Sequence, residues 1–219
     1  MTTASALSKF DILLDKYGSP YFEESEKLEF LNMAQLETLN RLVPDSLGGV
    51  VNFEMDANVL RSLAPLIVNI QQSFPTLGAQ GETVILKSLL DGYVTDGVFA
   101  VIELALVTGF NPFTTIPIKF AKHNNLNAFK NNFFKNPSQS QYYYTIASDG
   151  YRVTPNPTAT VFFASCIKNP KIMTAGNSPD WDDYVMNQVI LHAVKLAGVP
   201  LRDEEIQQDV RLSGFQSAQ

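Results

Sequence analysis

Imidazole, thiol and clustered carboxylates are the groups that could do chemistry here, and the chain holds few of them. Its two histidines are His123 and His192, and its one cysteine is Cys166. A zinc centre needs several His or Cys ligands at helical or loop spacing; no H-x-x-x-H or H-E-x-x-H pair exists, and one cysteine excludes a cysteine cluster. A general-base histidine needs a carboxylate to orient it. His192 falls within a helical pattern, but the position one turn back is Gln188, and His123 lies in a turn between Lys122 and Asn124. Both are read as structural. The nucleophile elbow G-x-S-x-G is absent, as are the phosphate-cradling G-x-x-x-x-G-K-[ST] and G-x-G-x-x-G loops. Asp180, Asp182 and Asp183 could be imagined around a cation. At a helix start, however, carboxylates are already explained by the exposed N–H groups and the positive end of the dipole. Asp149-Gly150 is read as a hairpin turn, since the alternating oxygen ligands of a calcium loop are missing. No catalytic, cofactor-binding or metal-binding residue is assigned, and the expectation is a protein that is not an enzyme.

The aromatic residues are more informative. Phe133-Phe134 and Tyr142-Tyr143-Tyr144 put consecutive rings on both faces of any strand they occupy. Either both faces are covered within one domain, or one face meets another subunit. A stacking platform for single-stranded nucleic acid would interleave Lys and Arg, and none lies between Gln139 and Tyr151. Core plus subunit contact is the preferred reading. The candidate contacts are Phe133, Phe134, Tyr142 and Tyr144, with Arg202, Ile206 and Phe215 in the polar C-terminal tail.

Charged residues make up 17% of the 219, below the quarter or so of an ordinary soluble domain. A wet but weakly charged surface suits broad protein contact. The net charge of −6, with no run of three basic residues, argues against a DNA-reading module. Cys166 cannot form an internal disulfide and reads as a small core residue. The N-terminal residues lack a secretion signal, and the longest apolar run, Val98 to Val107, is about half a bilayer span and carries Glu103. A soluble chain made in the cytoplasm, with no membrane partner, is expected.

The elements that must position these residues follow from periodicity. A short helix carries Phe10, Leu13, Leu14 and Tyr17 and ends at Gly18-Ser19-Pro20. A second starts near Glu23-Glu24-Ser25, with an apolar stripe at Leu28, Leu31, Leu36, Leu39 and Leu42. Its polar face holds Lys27, Gln35, Glu37 and Arg41. Asp56 to Leu63 is a short helix cut by Pro65. Leu66 to Ile70, Thr83 to Leu86 and Val98 to Val107 are strand-sized runs. Ile116 to Phe120 reads as an edge strand because Pro117 cannot donate to a ladder. Tyr142 to Ile146, the Asp149-Gly150 turn and Tyr151 to Thr154 form a hairpin, and Thr160 to Ile167 extends it to a three-stranded meander. An acidic helix spans 180 to 197, ended by Gly198 and Pro200.

The expected fold is α+β: N-terminal helices and a long C-terminal helix packed with a mostly antiparallel sheet or small β-sandwich. The organisation is a helical segment (1–48), a β-rich portion (49–170, with 50–110 an insertion candidate), the C-terminal helix (171–200) and a tail (201–219).

Four segments in this order resemble the head-to-tail connector (ring or adaptor) proteins of short-tailed bacteriophages, especially of the crAss-like type. They are "DILLDKYGSPYFEESEKLEFLNMAQLETLNRL", "IPIKFAKHNNLNAFKNNFFKNPSQSQYYYTIASDGYRVTPNP", "TVFFASCIKNPKI" and "SPDWDDYVMNQVILHAVKLAG", together about three fifths of the chain. The resemblance implies a virion protein without catalytic activity. Its copies would form a closed ring, in the common case a dodecamer, between portal and tail. That ring would extend the DNA channel without sequence-specific contact and dock neighbouring ring or tail proteins. A tail-hub or tail-tube component is the alternative within the same virion.

Overall fold

The computed structural model describes residues 1–16, 22–43, 57–73, 83–110, 113–122, 124–125, 129, 132, 137, 141–147, 150–155 and 161–198. The chain is an α+β protein that divides into two compact units. One comprises Met1–Pro44, Asp56–Leu66 and Pro170–Gln219; the other comprises Asp45–Met55 and Ile67–Asn169.

The first unit is helical. Its elements are α1 (Thr3–Lys16), α2 (Glu24–Leu42) and α3 (Ala57–Leu63), the last running into a 3-10 turn at Ala64–Leu66. At the start of α2 the Glu26 carboxylate accepts from the Glu23 N–H at 2.8 Å, satisfying a donor the helix leaves open. Glu24 and Glu26 in the first turn and Arg41 in the last complement the dipole. The buried stripe of α2 is Lys27, Leu31, Ala34, Gln35, Thr38 and Leu39. It is rotated from the leucine stripe expected: Leu36 is exposed, while Lys27 and Gln35, expected on the polar face, are buried. Lys27 reaches Asp11 of α1 at 2.6 Å, so its burial brings an ion pair with it.

The C-terminal helix of this unit is Asp183–Leu196, 14 residues, numbered α5 in chain order after a fourth helix described below. It is shorter than the 180–197 span expected. Asp182 has extended backbone and accepts from the Val185 N–H at 2.8 Å, which makes it the N-cap. Asp180 instead accepts from the Lys171 N–H at 3.0 Å, and the Trp181 side chain is buried. Gly198 ends the helix in a left-handed conformation (φ +81°) that an L side chain rarely adopts. Val185, Met186, Val189, Ile190, Ala193 and Val194 form its buried face. The helix packs against both α1 and α2, where Phe10, Leu14, Leu31 and Leu39 are buried.

The second unit carries β1 (Ile67–Ser73), β2 (Thr83–Leu86), α4 (Lys87–Tyr93), β3 (Val98–Phe110), β4 (Phe113–Phe120), β5 (Tyr142–Ala147), β6 (Gly150–Thr154) and β7 (Val161–Lys168). Pairing runs in the order β1-β7-β3-β4-β5-β6-β2, antiparallel throughout except for the parallel β4–β5 step. Two expectations change here. The β5–β6 hairpin forms, but β7 does not extend it to a meander; β7 lies between β1 and β3, and β6 takes β2 on its other side. β4 is an interior strand; among the described residues β5 pairs with Ile118 to Phe120, and Pro117 is paired on the β3 side, with Ala105. Among the described residues, the 50–110 stretch contributes α3 to the helical unit and β1, β2 and the interior strand β3 to the sheet.

β3 is irregular for a reason visible in its side chains. A register shift against β7 between Val101 and Glu103 leaves Glu103 exposed while Val101, Leu104, Ala105, Leu106 and Val107 are buried. The core joins Ile70 of β1 and Ile85 of β2, the two ends of the strand order, with Leu104, Leu106, Tyr142, Tyr144, Val153, Phe162, Ala164 and Cys166. The sheet therefore coils so that its two halves share one apolar interior. The α4–β3 turn is pinned from β7. Lys168 lies 3.9 Å from Asp96, Asn169 donates from Nδ2 to the Asp96 carbonyl at 3.0 Å, and its N–H donates to the Gly97 carbonyl at 3.0 Å. Gly97 has φ +76°, and a Cβ there would sit 3.3 Å from Asn169 Nδ2. Lys168 and Asn169, where the chain leaves β7, thus have a structural task.

Candidate interaction surfaces and buried polar groups

Tyr142 and Tyr144, expected as partner contacts, are core residues. β5 buries Tyr142, Tyr143, Tyr144 and Thr145 in succession, so both of its faces are covered within the unit. Tyr144 packs against Phe120 (centroids 5.6 Å apart) and edge-on to Tyr151 (5.7 Å), and Tyr143 packs against Phe129 (5.2 Å). Rings at these separations stabilise one another beyond their buried area, which accounts for the Tyr run without a partner chain. Phe133, Phe134, Arg202, Ile206 and Phe215 lie outside the described residues.

The hydroxyl and thiol groups of this interior are held in their neutral forms. Burial, with Tyr151 next in importance, pushes the Tyr144 phenol far up, and its hydroxyl is buried without a hydrogen-bond partner. Burial followed by the nearby Cys166 and Asp91 pushes Tyr151 up to about 12. Burial and then Asp91 push the Cys166 thiol up to about 12. Asp91, which no motif singled out, accepts from the Val98 N–H at 2.8 Å and so closes the α4–β3 turn. A thiol nucleophile must be an accessible thiolate, and Cys166 is neither accessible nor ionised. Relative to a thiol at the ordinary 9.0, its thiolate fraction at neutral pH falls about a thousandfold. Titration of the folded chain with an aromatic disulfide reagent should therefore show almost no reaction until denaturant is added, and then one equivalent. Rapid labelling of the native chain would contradict the burial.

His192 does meet a carboxylate, but from another helix. Its Nε2 lies 2.9 Å from Glu37 Oε2 and 3.0 Å from Arg41 Nη2, both on α2. Spacing along the chain gave no signal for this, because the partners are some 150 residues apart. Asn32 of α2 is a second residue that motif reasoning passed over. Its Nδ2 donates to the Met173 carbonyl at 3.1 Å and its Oδ1 accepts from the Met173 N–H at 2.8 Å. Gln35 adds a bond to the Lys171 carbonyl at 3.1 Å and one to Asn32 Oδ1 at 2.9 Å. The one available hint was two amides three residues apart on a helix.

What remains for a partner is the exterior. In the helical unit Met33 and Leu36, one turn apart on α2, are exposed, as are Ile12, Ile172 and Tyr184. Glu23, Glu24, Glu26 and Glu29 are all exposed along the first turns of α2. In the sheet unit Tyr93 and Ile146 are exposed. Among the described residues β1 and β2 end the strand order, and neither carries a charged residue. β1 pairs with β7 over seven consecutive positions without a bulge, leaving its outer backbone groups regularly spaced. Among the described residues no three His, Cys, Asp or Glu side chains gather as a metal would require, and no helix is long and apolar enough to cross a membrane. Comparison with protein-family models and with curated proteins finds no match.

Proposed function

We propose that this chain is a structural subunit of an oligomeric ring joining the portal of a short-tailed bacteriophage to its tail, where it lengthens the DNA channel and docks tail components. The observation that carries the reading is the pair of uncharged terminal strands, β1 and β2, added to the four connector-like segments quoted above. Natural sheets blunt their free edges with charge, proline or bulges, and an edge without these devices is a place for another chain. Two different edges suit association in which each copy uses two different surfaces and the rotation closes. The exposed apolar residues of α2 and the low share of charged residues fit the same role.

Electron microscopy of the purified chain and of particles carrying it tests the reading through rotational symmetry. A closed ring that copurifies with portal is expected. A chain that stays with tails assembled without heads would instead be a hub or tube component, and a monomer under all conditions would end the proposal. The exposed Glu23, Glu24, Glu26 and Glu29 are candidates to line the channel, where carboxylates repel DNA phosphates and let the genome pass. Replacing all four by Lys should slow DNA ejection most at low ionic strength, where charges are least screened. Unchanged ejection would remove these residues from the channel wall.

A further inference from the structure

Two groups of opposite kind converge on one nitrogen at the α2–α5 contact. Arg41 has only N–H donors, so its 3.0 Å approach to His192 Nε2 needs a lone pair there. The Glu37 carboxylate only accepts, so its 2.9 Å approach to the same atom needs an N–H. Nε2 can offer one or the other at a given moment. Arg41 and Glu37 stand 4.0 Å apart, so either is in place when the ring changes state.

We propose that His192 is a proton-operated contact between α2 and α5: the neutral ring accepts from Arg41 at Nε2, and the protonated ring donates from Nε2 to Glu37. The neutral ring then carries its proton on Nδ1, which is buried without a hydrogen-bond partner. Gaining a proton from solvent moves the α2 tether from one side chain to another one turn away, without opening the helix pair.

The surroundings bias the neutral state. Burial is the largest influence holding His192 below the ordinary histidine range, followed by the Arg41 charge, with Lys195 of α5 a smaller one. Glu37 and the Ala34 backbone pull the other way. α1, which also packs on α5, presents Lys9 farther along, bonded to Asn187 at 2.9 Å. With the folded value below the unfolded one, the unfolded chain binds the proton first as pH falls. Stability is therefore full above the ordinary histidine value and declines as pH drops from there towards the folded value.

The test is a ¹⁵N titration of the imidazoles in the full chain from about pH 8 to about pH 5, the range in which histidine changes charge. His123→Gln leaves His192 as the sole imidazole. The expected neutral ring has its hydrogen on Nδ1. Arg41→Gln should raise the His192 midpoint and Glu37→Gln should lower it; Arg41 is exposed and Glu37 half-buried, and neither belongs to the buried core. The tautomer needs no variant, so it can be read even if a substitution harms folding. A neutral ring protonated at Nε2, or midpoints that stay put in both variants, would overturn the proposal.

Discussion

Phe162→Ala should lower the unfolding free energy of the sheet unit by about 3–5 kcal/mol, the range for emptying a buried aromatic site. Phe162 is fully buried on β7 and stands opposite Gln72 of β1 and Leu106 of β3, so strands flank it on both sides. It belongs to the cluster that also holds Ile70, Leu104, Ala164 and Cys166, and strands on either side cannot move in to fill the space. Part of the loss is apolar surface returned to water, and part is contact forfeited around the cavity. The neighbouring Phe163 is only half-buried and points to the other face of the strand. Phe163→Ala should cost about half as much or less, since less of its surface is removed from water. Urea unfolding followed by circular dichroism reads both, as shifts in midpoint at constant slope. Equal losses would contradict the side assignment of β7.

Asn32→Ala should cost the helical unit about 2–4 kcal/mol, although it removes only a small polar side chain. The Asn32 amide pairs with the Met173 backbone in both directions, as a neighbouring strand would, and also accepts from Gln35. Met173 is buried, so its N–H and carbonyl lose their partners where water reaches them poorly. Asn32→Asp discriminates this account from simple loss of packing. The carboxylate keeps the acceptor for the Met173 N–H but faces the Met173 carbonyl with no donor. It should recover part of the loss at acid pH, where a protonated carboxyl can donate. Hydrogen exchange at the Met173 amide reports the same event locally and should speed up more in Asn32→Ala than in Asn32→Asp, which keeps its acceptor. Full stability in Asn32→Ala would show that this backbone finds other partners.

Most element types were legible in the residues. Thr83 to Leu86 and the run from Val98 are strands because β-branched side chains bounded by turn residues favour the pleat. α2 starts where its acidic residues can serve the open N–H groups, and Gly198 stops α5 because only glycine adopts that backbone freely. The β5–β6 hairpin follows from its two-residue connection, which fixes register locally. Helix faces were less legible: a leucine count put Leu36 inward and Gln35 outward. The segment around Lys171 and Met173 reverses this by supplying backbone groups that amides, not leucines, can satisfy.

Local pattern decides what each stretch becomes, because propensity, capping and turn geometry act within a few residues. It leaves open which stretches become neighbours. β7 bypasses the adjacent hairpin to lie between β1 and β3, and the Tyr142–Tyr144 run turns from a candidate contact into core once both its faces are covered. His192 acquires a carboxylate and a guanidinium from a helix at the opposite end of the chain. These outcomes depend on burying apolar area and pairing polar groups across long stretches of chain, a balance struck only when all the elements pack together.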